Sequence, residues 1–323
     1  MDESPVALED LVNVEAFRSA PPEAGTTATA EQRAVAARLV EQLSTIGFAH
    51  ISGHGLDNEL QRRAFRLSEQ FFKQPLETKE RAISKDKARR GYSPYATENF
   101  SSLNGECKPN DLVEKFRIGP DISGLDTNED PYYSCKEGRI NFFPNTWGGT
   151  PVGMEETLNC YYRQMEQLTS CILSILEVGL NLPTGVFTSH LRRHTSILGV
   201  NYFPVTDIAN ATRVAEHTDV SLLTILAHEP DGDGLEICSR GGVWREIKPI
   251  ENALIINVGD CLQYWTNGVL ISTKHRVSTV RERNFSPARY SVAYFASPDH
   301  DTKLELPCNR SVYGNSSISS SEN

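Results

Sequence analysis

Residues 220–258, VSLLTILAHEPDGDGLEICSRGGVWREIKPIENALIINV, decide the fold class because short apolar runs alternate there with turn signals. The runs are rich in β-branched side chains, and the breaks contain glycine, proline and aspartate. The same pattern extends outward to about residues 196 and 298. It predicts eight strands: Ile197–Phe203, Val220–Ala227, Leu235–Ser239, Val243–Ile247, Ala253–Val258, Cys261–Trp265, His275–Val280 and Tyr290–Ala296. Strands this close together, with no helix-length interruption, favour a sandwich or a closed barrel over a parallel α/β sheet.

The part of the chain before this β-rich segment has helical periodicity instead. Apolar spacing predicts helices over residues 31–43, 58–72 and 153–182. Short strands are predicted at Phe48–Ser52 and Leu112–Ile118. The sequence therefore predicts a mainly β protein with flanking helices.

We expect these segments to form one integrated catalytic unit rather than separate domains. Its predicted parts are an N-terminal α/β region with substrate-lining loops (1–150), a long support helix and connection (151–195), a β core (196–308) and a disordered tail (309–323).

Composition excludes several classes of protein. The chain has 323 residues, with 32 basic and 42 acidic side chains and a formal net charge of −10, so it lacks the basic excess of a general nucleic-acid binder. Its seven cysteines, an odd number without a Cys-x-x-Cys pair, indicate free thiols in a reducing compartment. No signal-peptide pattern or membrane-length apolar run occurs in the sequence. These features predict a cytoplasmic protein with no membrane and no nucleic-acid partner.

The β-rich segment contains a potential metal-binding triad. His217 and Asp219 are two residues apart, so they point to the same face if they lie in one strand. His275, which opens a later predicted strand, is the best-placed second histidine. Two imidazoles and one carboxylate suit non-haem Fe(II), whereas the same atoms could also form a hydrolytic Zn(II) site.

An arginine and a serine share one face of the last predicted strand. Arg289 and Ser291 are two residues apart, and a guanidinium inside a barrel needs an anionic partner. A carboxylate matches the planar fork of an arginine, and the Ser291 hydroxyl adds a second donor. Together with the metal triad, this pair indicates a dicarboxylate co-substrate. The alternative is an ordinary surface ion pair for Arg289.

The order and spacing of several motifs make a family resemblance specific. Over about residues 196–298 the chain resembles the Fe(II)- and 2-oxoglutarate-dependent oxygenases of the isopenicillin N synthase-like family. The matching motifs are Asn201-Tyr202-Phe203-Pro204, His217-Thr218-Asp219, Ser221-Leu222-Leu223-Thr224, Gly234-Leu235-Glu236, Asn257-Val258-Gly259-Asp260, Trp265-Thr266-Asn267-Gly268, His275-Arg276-Val277 and Arg289-Tyr290-Ser291. Gly47-Phe48 and Gly53-His54-Gly55 match the N-terminal region of the family more loosely.

The resemblance implies a double-stranded β-helix, or jelly roll, with an N-terminal helical region. It implies that His217, Asp219 and His275 hold Fe(II), and that Tyr202, Arg289 and Ser291 contact 2-oxoglutarate. O2 would be the second co-substrate. The implied reaction is hydroxylation, desaturation or oxidative cyclisation of a small-molecule metabolite through a ferryl intermediate, with release of succinate and CO2. In this family the primary substrate lies over the iron.

Candidate substrate contacts come from both halves of the chain: Tyr92, Tyr95, Asn110, Lys115, Arg117, Asn201 and Phe295. Lys115 and Arg117 lie on one face of their strand, which would favour an acidic substrate, either a specialised metabolite or a compound derived from an amino acid. The alternatives are a related oxidase that does not use 2-oxoglutarate and a non-catalytic metal- or ligand-binding module. We expect a monomer.

Overall fold

The computed structural model describes residues 10–22, 27–85, 90–99, 109–206, 212–229, 232, 234–279 and 287–304. The helices within these residues are α1 (Glu15–Ser19), α2 (Ala30–Thr45), α3 (Asn58–Phe72), α4 (Leu76–Glu80), α5 (Pro131–Ser134), α6 (Lys136–Asn141), α7 (Met154–Gly179) and α8 (Asp260–Trp265). The strands are β1 (Leu11–Asn13), β2 (Phe48–Ser52), β3 (Gly91–Ser93), β4 (Glu114–Ile118), β5 (Ile197–Phe203), β6 (Thr212–His217), β7 (Leu223–His228), β8 (Leu235–Cys238), β9 (Trp244–Glu246), β10 (Leu254–Val258), β11 (His275–Ser278) and β12 (Arg289–Ala296).

Two sheets face each other and enclose the centre of the molecule. The larger has the strand order β1-β2-β10-β7-β12-β5-β4-β3, and the smaller has the order β6-β11-β8-β9. Apart from the parallel pair of β1 with β2, the strand pairings are antiparallel. Apolar side chains of the two sheets meet between them, as Phe203 of β5 does with Val214 of β6 and Val277 of β11.

The outer face of the large sheet packs against helices. Buried residues along the whole length of α7 belong to the same core as Val292 and Tyr294 of β12; they include Leu158, Met165 and Ile172. Helices α2 and α3 pack against α7 and extend this layer. Since β12 lies at the middle of the large sheet, the helical layer fixes the strand that carries Arg289 and Ser291.

Most predicted elements are present, but the predicted strand Cys261–Trp265 is wrong. This segment lies in helix α8, in which Leu262 and Trp265 are buried while Tyr264 is 63% exposed. Burial of positions three apart is a helical pattern that can be mistaken for alternation in a short window. Prediction also missed β6, the strand that ends at His217.

The N-terminal region contributes strands to the large sheet rather than a separate layer of its own. β2 pairs with β10, and β4 pairs with β5, so residues before and after position 150 share one sheet. The predicted division at residues 150 and 195 stays a prediction, and the predicted tail at 309–323 lies outside the described residues. Among the described helices, none combines the length and the apolar character needed to cross a membrane.

Candidate metal centre and co-substrate cavity

The three predicted metal ligands meet between the two sheets. His275 and His217 are directly paired residues of β11 and β6, and their ring centroids are 4.3 Å apart. Oδ1 of Asp219 lies 3.6 Å from Nε2 of His217 and 3.7 Å from Nε2 of His275. All three side chains are buried, and their ligand atoms lie within 4.8 Å of one another.

The convergence of His217 and Asp219 has a different cause from the one predicted. Strand β6 ends at His217, so Asp219 lies in the following connection and not two residues further along a strand. A backbone hydrogen bond from the amide of Asp260 to the carbonyl of Asp219, 2.7 Å long, fixes this connection. The start of helix α8 therefore helps to place the carboxylate.

Backbone carbonyls orient both imidazoles. Nδ1 of His217 lies 2.8 Å from the carbonyl oxygen of Ala215, and Nδ1 of His275 lies 3.1 Å from that of Thr273. When each Nδ1–H donates to its carbonyl, the Nε2 lone pairs of both rings point toward Asp219 and can bind a metal. Burial and the neighbouring His217 lower the pKa of His275 to about 4, so the ring is neutral near pH 7.

Two neutral side chains hold the other oxygen of Asp219. The Thr224 hydroxyl and the Asn257 amide donate to Oδ2 at 2.6 and 2.8 Å, which leaves Oδ1 directed at the imidazoles. Burial alone would raise the pKa of Asp219, but His275, His217 and Asn257 together keep it below its usual value. The carboxylate is therefore ionised, and the donor set of two imidazoles and one carboxylate fits a divalent metal such as Fe(II).

A cavity of about 90 Å³ extends from this centre to the predicted dicarboxylate anchor. His217, Asp219 and His275 line one part of it, and Arg289 and Ser291 line another. Its walls come from both sheets and include Phe48, Leu226, Leu235, Val277 and Ala293. Metal ligands and anion donors thus border one cavity, as a chelating dicarboxylate requires.

Arg289 is not a surface residue. It is 3% exposed, and its guanidinium carbon lies 5.2 Å from the ring centroid of Phe203, its cross-strand neighbour. Ser291 is equally buried and accepts a hydrogen bond from Asn201 at 3.2 Å. The alternative of an exposed ion pair for Arg289 is therefore excluded.

The structure does not bring Tyr202 to this cavity, so its predicted contact with 2-oxoglutarate lacks support. Because side chains alternate along β5, Asn201 and Phe203 face the cavity and Tyr202 faces the helical layer. There it stacks on Phe72 and Tyr290, with ring centroids 5.3 and 4.8 Å away.

Three of the seven predicted substrate contacts line the cavity: Lys115, Asn201 and Phe295. Arg117 lies on the same strand face as Lys115, but its guanidinium donates to both carboxylate oxygens of Glu98 at 2.5 and 2.6 Å. The Glu98 carboxylate thus pairs with the guanidinium that was predicted to contact an acidic substrate.

The other three predicted contacts lie elsewhere. Tyr92 is buried on the opposite face of the sheet, where its hydroxyl donates to Glu114 at 2.5 Å. Tyr95 is 43% exposed in the turn after β3 and is not part of the cavity wall. Asn110 is exposed and donates to the carbonyl of Ala96 at 2.7 Å. Strand alternation explains the position of Tyr92, because only one face of β3 and β4 is directed at the cavity.

Several site residues were not predicted. Thr224 and Asn257 stand within motifs that carry the family resemblance, yet no role was assigned to them. Phe203 could have been found by alternation from Asn201. Glu98 lies in a connection whose sequence gives no signal for an ion pair with β4.

Comparison with known proteins identifies the family. The profile of the 2OG-Fe(II) oxygenase superfamily matches residues 194–298, and that of the non-haem dioxygenase in morphine synthesis N-terminal region matches residues 20–147. The 2-oxoglutarate-dependent dioxygenase htyE of Aspergillus rugulosus is 30% identical over 303 residues, which cover 87% of this chain and 86% of the relative. The proline hydroxylase buaE of Petromyces alliaceus is 30% identical over 290 residues, with 86% and 85% covered.

Solved structures agree with this assignment. A Caulobacter crescentus protein of the 2OG-Fe(II) oxygenase family superimposes with a TM-score of 0.76 at 25% identity, covering 92% of this chain and 89% of the other. A full-length Neurospora crassa protein in complex with alpha-KG and 5-formyluracil gives a TM-score of 0.74 at 25% identity, with 95% and 89% covered.

The chain belongs to the 2-oxoglutarate- and Fe(II)-dependent oxygenases of the isopenicillin N synthase-like superfamily. It is a non-haem iron dioxygenase that uses Fe(II), 2-oxoglutarate and O2 and acts on a small-molecule metabolite. The predicted jelly-roll fold and the predicted enzyme class are confirmed. The predicted alternatives, an oxidase independent of 2-oxoglutarate and a non-catalytic module, gain no support from the named relatives.

Proposed function

We propose that His217, Asp219 and His275 hold the iron and that Arg289 and Ser291 bind the far carboxylate of 2-oxoglutarate. The observation that supports this assignment is the single cavity bordered by all five side chains. One molecule of 2-oxoglutarate in that cavity would contact the metal through its keto-acid group and Arg289 and Ser291 through its far carboxylate.

When bound, iron, 2-oxoglutarate and O2 would supply the oxidising power for attack on a substrate C–H bond, with succinate and CO2 as the by-products. The protein's own side chains prepare this chemistry. Thr224 and Asn257 fix the ligand carboxylate, and the apolar wall of Phe48, Leu226 and Val277 excludes water.

For the primary substrate, we propose contacts with Asn201, Phe295 and Lys115, which border the cavity. Phe295 offers an apolar surface and Asn201 an amide, while the ammonium group of Lys115 is paired with Glu98. An amino-acid-derived or otherwise acidic metabolite stays the proposed class, supported by the name of one relative, a proline hydroxylase. Hydroxylation, desaturation and ring closure are all compatible with this arrangement. A cytoplasmic monomer stays part of the proposal.

The co-substrate site is tested by anaerobic titration of the Fe(II)-loaded protein with 2-oxoglutarate, followed by its visible absorption. Arg289→Lys keeps the charge but loses the planar fork, so we expect affinity to fall about tenfold or more. Arg62→Lys, at a side chain that is 71% exposed, is the matched control. Unchanged affinity in Arg289→Lys would contradict the assignment.

The reaction is tested by measuring succinate during an aerobic screen of candidate metabolites. Substrate-linked succinate supports the proposal. Turnover without succinate would instead indicate an oxidase, and the absence of turnover with any metabolite would favour a binding module.

A further inference from the structure

A second cationic side chain, that of Lys115, borders the cavity, and it is paired with an internal carboxylate that also binds Arg117. Nζ of Lys115 lies 2.9 Å from Glu98, and Arg117 contacts the same carboxylate through both terminal nitrogens. The three side chains are 6%, 12% and 10% exposed for Lys115, Arg117 and Glu98. Water therefore screens the three charges of this cluster poorly, and they strongly affect the binding of a charged ligand in the cavity.

The cluster stands close to the anchor proposed for 2-oxoglutarate. Lys115 is the cross-strand neighbour of Asn201, which in turn neighbours Ser291. Two strand spacings of about 4.8 Å separate the backbones of Lys115 and Ser291, and both residues line the same cavity. A dicarboxylate in this cavity thus has two cationic side chains in the surrounding wall, Arg289 and Lys115.

We propose that Glu98 is a specificity-determining residue: its carboxylate fills the Lys115–Arg117 site and thereby leaves Arg289 as the anchor for the far carboxylate of 2-oxoglutarate. The inference rests on the proposed assignment of Arg289 and Ser291. It gives Glu98 the role of an internal ligand that prevents a second dicarboxylate from taking the space of the primary substrate.

Both the charge and the position of Glu98 support this role. Burial alone would raise the pKa of Glu98, but Arg117 and Lys115 keep it below its usual value, so the carboxylate is ionised. Burial and Arg117 lower the pKa of Lys115 to about 8, and Glu98 opposes that shift, so the ammonium stays charged near pH 7. The carbonyl of Glu98 also accepts a hydrogen bond from the amide of Asp111 at 2.9 Å, which holds the connection against β4.

The test is calorimetric titration of the Fe(II)-loaded protein with 2-oxoglutarate under anaerobic conditions. We expect one binding event in the wild type. In Glu98→Ala, which removes the carboxylate and opens space beside Lys115 and Arg117, we expect a second event and inhibition of succinate formation by excess 2-oxoglutarate. Glu98→Gln keeps most of the side-chain volume and removes its negative charge. We expect 2-oxoglutarate to inhibit this variant at a concentration about tenfold lower than any that inhibits the wild type.

Two further variants separate the possible causes. Glu59→Ala removes an equal charge from an exposed pair with Arg62, and we expect it to bind like the wild type. Adding Lys115→Met to Glu98→Ala should abolish the second event. A single event in both Glu98 variants, without inhibition, would overturn the inference. Failure of Arg289→Lys to weaken the first event would instead contradict the proposed function, so the two failures are distinguishable.

Discussion

One carboxylate oxygen of Asp219 faces the two imidazoles, and the other accepts two hydrogen bonds from neighbouring side chains. Its Oδ2 accepts hydrogen bonds from Thr224 and Asn257, which come from neighbouring strands β7 and β10. Such bonds fix the orientation of a ligating carboxylate and limit its mode of binding to one oxygen. Ligand geometry in this protein therefore depends on residues that do not themselves touch the metal position.

Removing one of these donors should weaken metal binding without unfolding the protein. In Asn257→Ala, Asp219 loses its longer hydrogen bond and gains rotational freedom, so we expect the affinity for Mn(II) to fall by about tenfold to a hundredfold. The measurement is an equilibrium titration of the metal-free protein. Ser221→Ala is the control because the Ser221 hydroxyl lies 3.3 Å from that of Thr224 and its loss leaves both donors to Asp219, Thr224 and Asn257, in place. Equal affinities in all three proteins would contradict the role of Asn257.

Glu98 should also make stability depend on pH. Its pKa is lower in the folded protein than the ordinary value of 4.5, so its stabilising contribution is complete above that value and is lost as the pH falls through the folded-state pKa. We expect Glu98→Gln to cost about 3 kcal/mol at pH 7, because it leaves two buried cations without their carboxylate. The difference should narrow below about pH 4.5. Urea unfolding across this range measures it, and a constant difference would contradict the argument.

Directly before helix α8, the backbone at Gly259 lies so close to the connection after β6 that no Cβ atom fits between them. A Cβ atom added to Gly259 would lie 1.9 Å from the carbonyl oxygen of Ser221 and 3.0 Å from that of Asp219. Gly259 also donates a backbone hydrogen bond to Leu222 at 2.9 Å. The close contact between these two elements thus fixes the backbone that carries Asp219.

Gly259→Ala should therefore damage the metal centre from outside it. We expect a loss of stability of about 1–3 kcal/mol from the forced backbone shift and a fall in Mn(II) affinity of about tenfold or more. The matched control is Gly241→Ala, where the added Cβ would meet nothing nearer than Ser239 Oγ at 3.9 Å. Its stability should change by less than about 0.5 kcal/mol. If Gly259→Ala bound metal like this control, the two elements would not be coupled.

At the scale of the whole molecule, sequence predicted what is encoded in local periodicity and in the order of motifs. The helix predicted over 58–72 matches α3, and the triad and the Arg289–Ser291 pair converge on one cavity. Prediction failed where pairing between distant segments decides the outcome. The face to which Tyr92 points depends on the register of β3 with β4, and the partner of Arg117 comes from a connection 19 residues away. Neither relation leaves a periodic signal in the sequence.

The triad joins the small sheet to the connection before β7 of the large sheet, so metal binding should stabilise the whole molecule. A ligand that binds only the folded state at 100 times its dissociation constant adds about 2.7 kcal/mol, which corresponds to a rise in melting temperature of roughly 5 °C for a chain of this size. We expect this rise with Mn(II) in the wild type, its reversal by a chelator and its loss in His275→Ala. In His300→Ala, which removes a histidine stacked on Tyr132 and outside the triad, the rise should persist. A full shift in His275→Ala would show that the ion binds elsewhere and would remove the physical basis of the proposed metal centre.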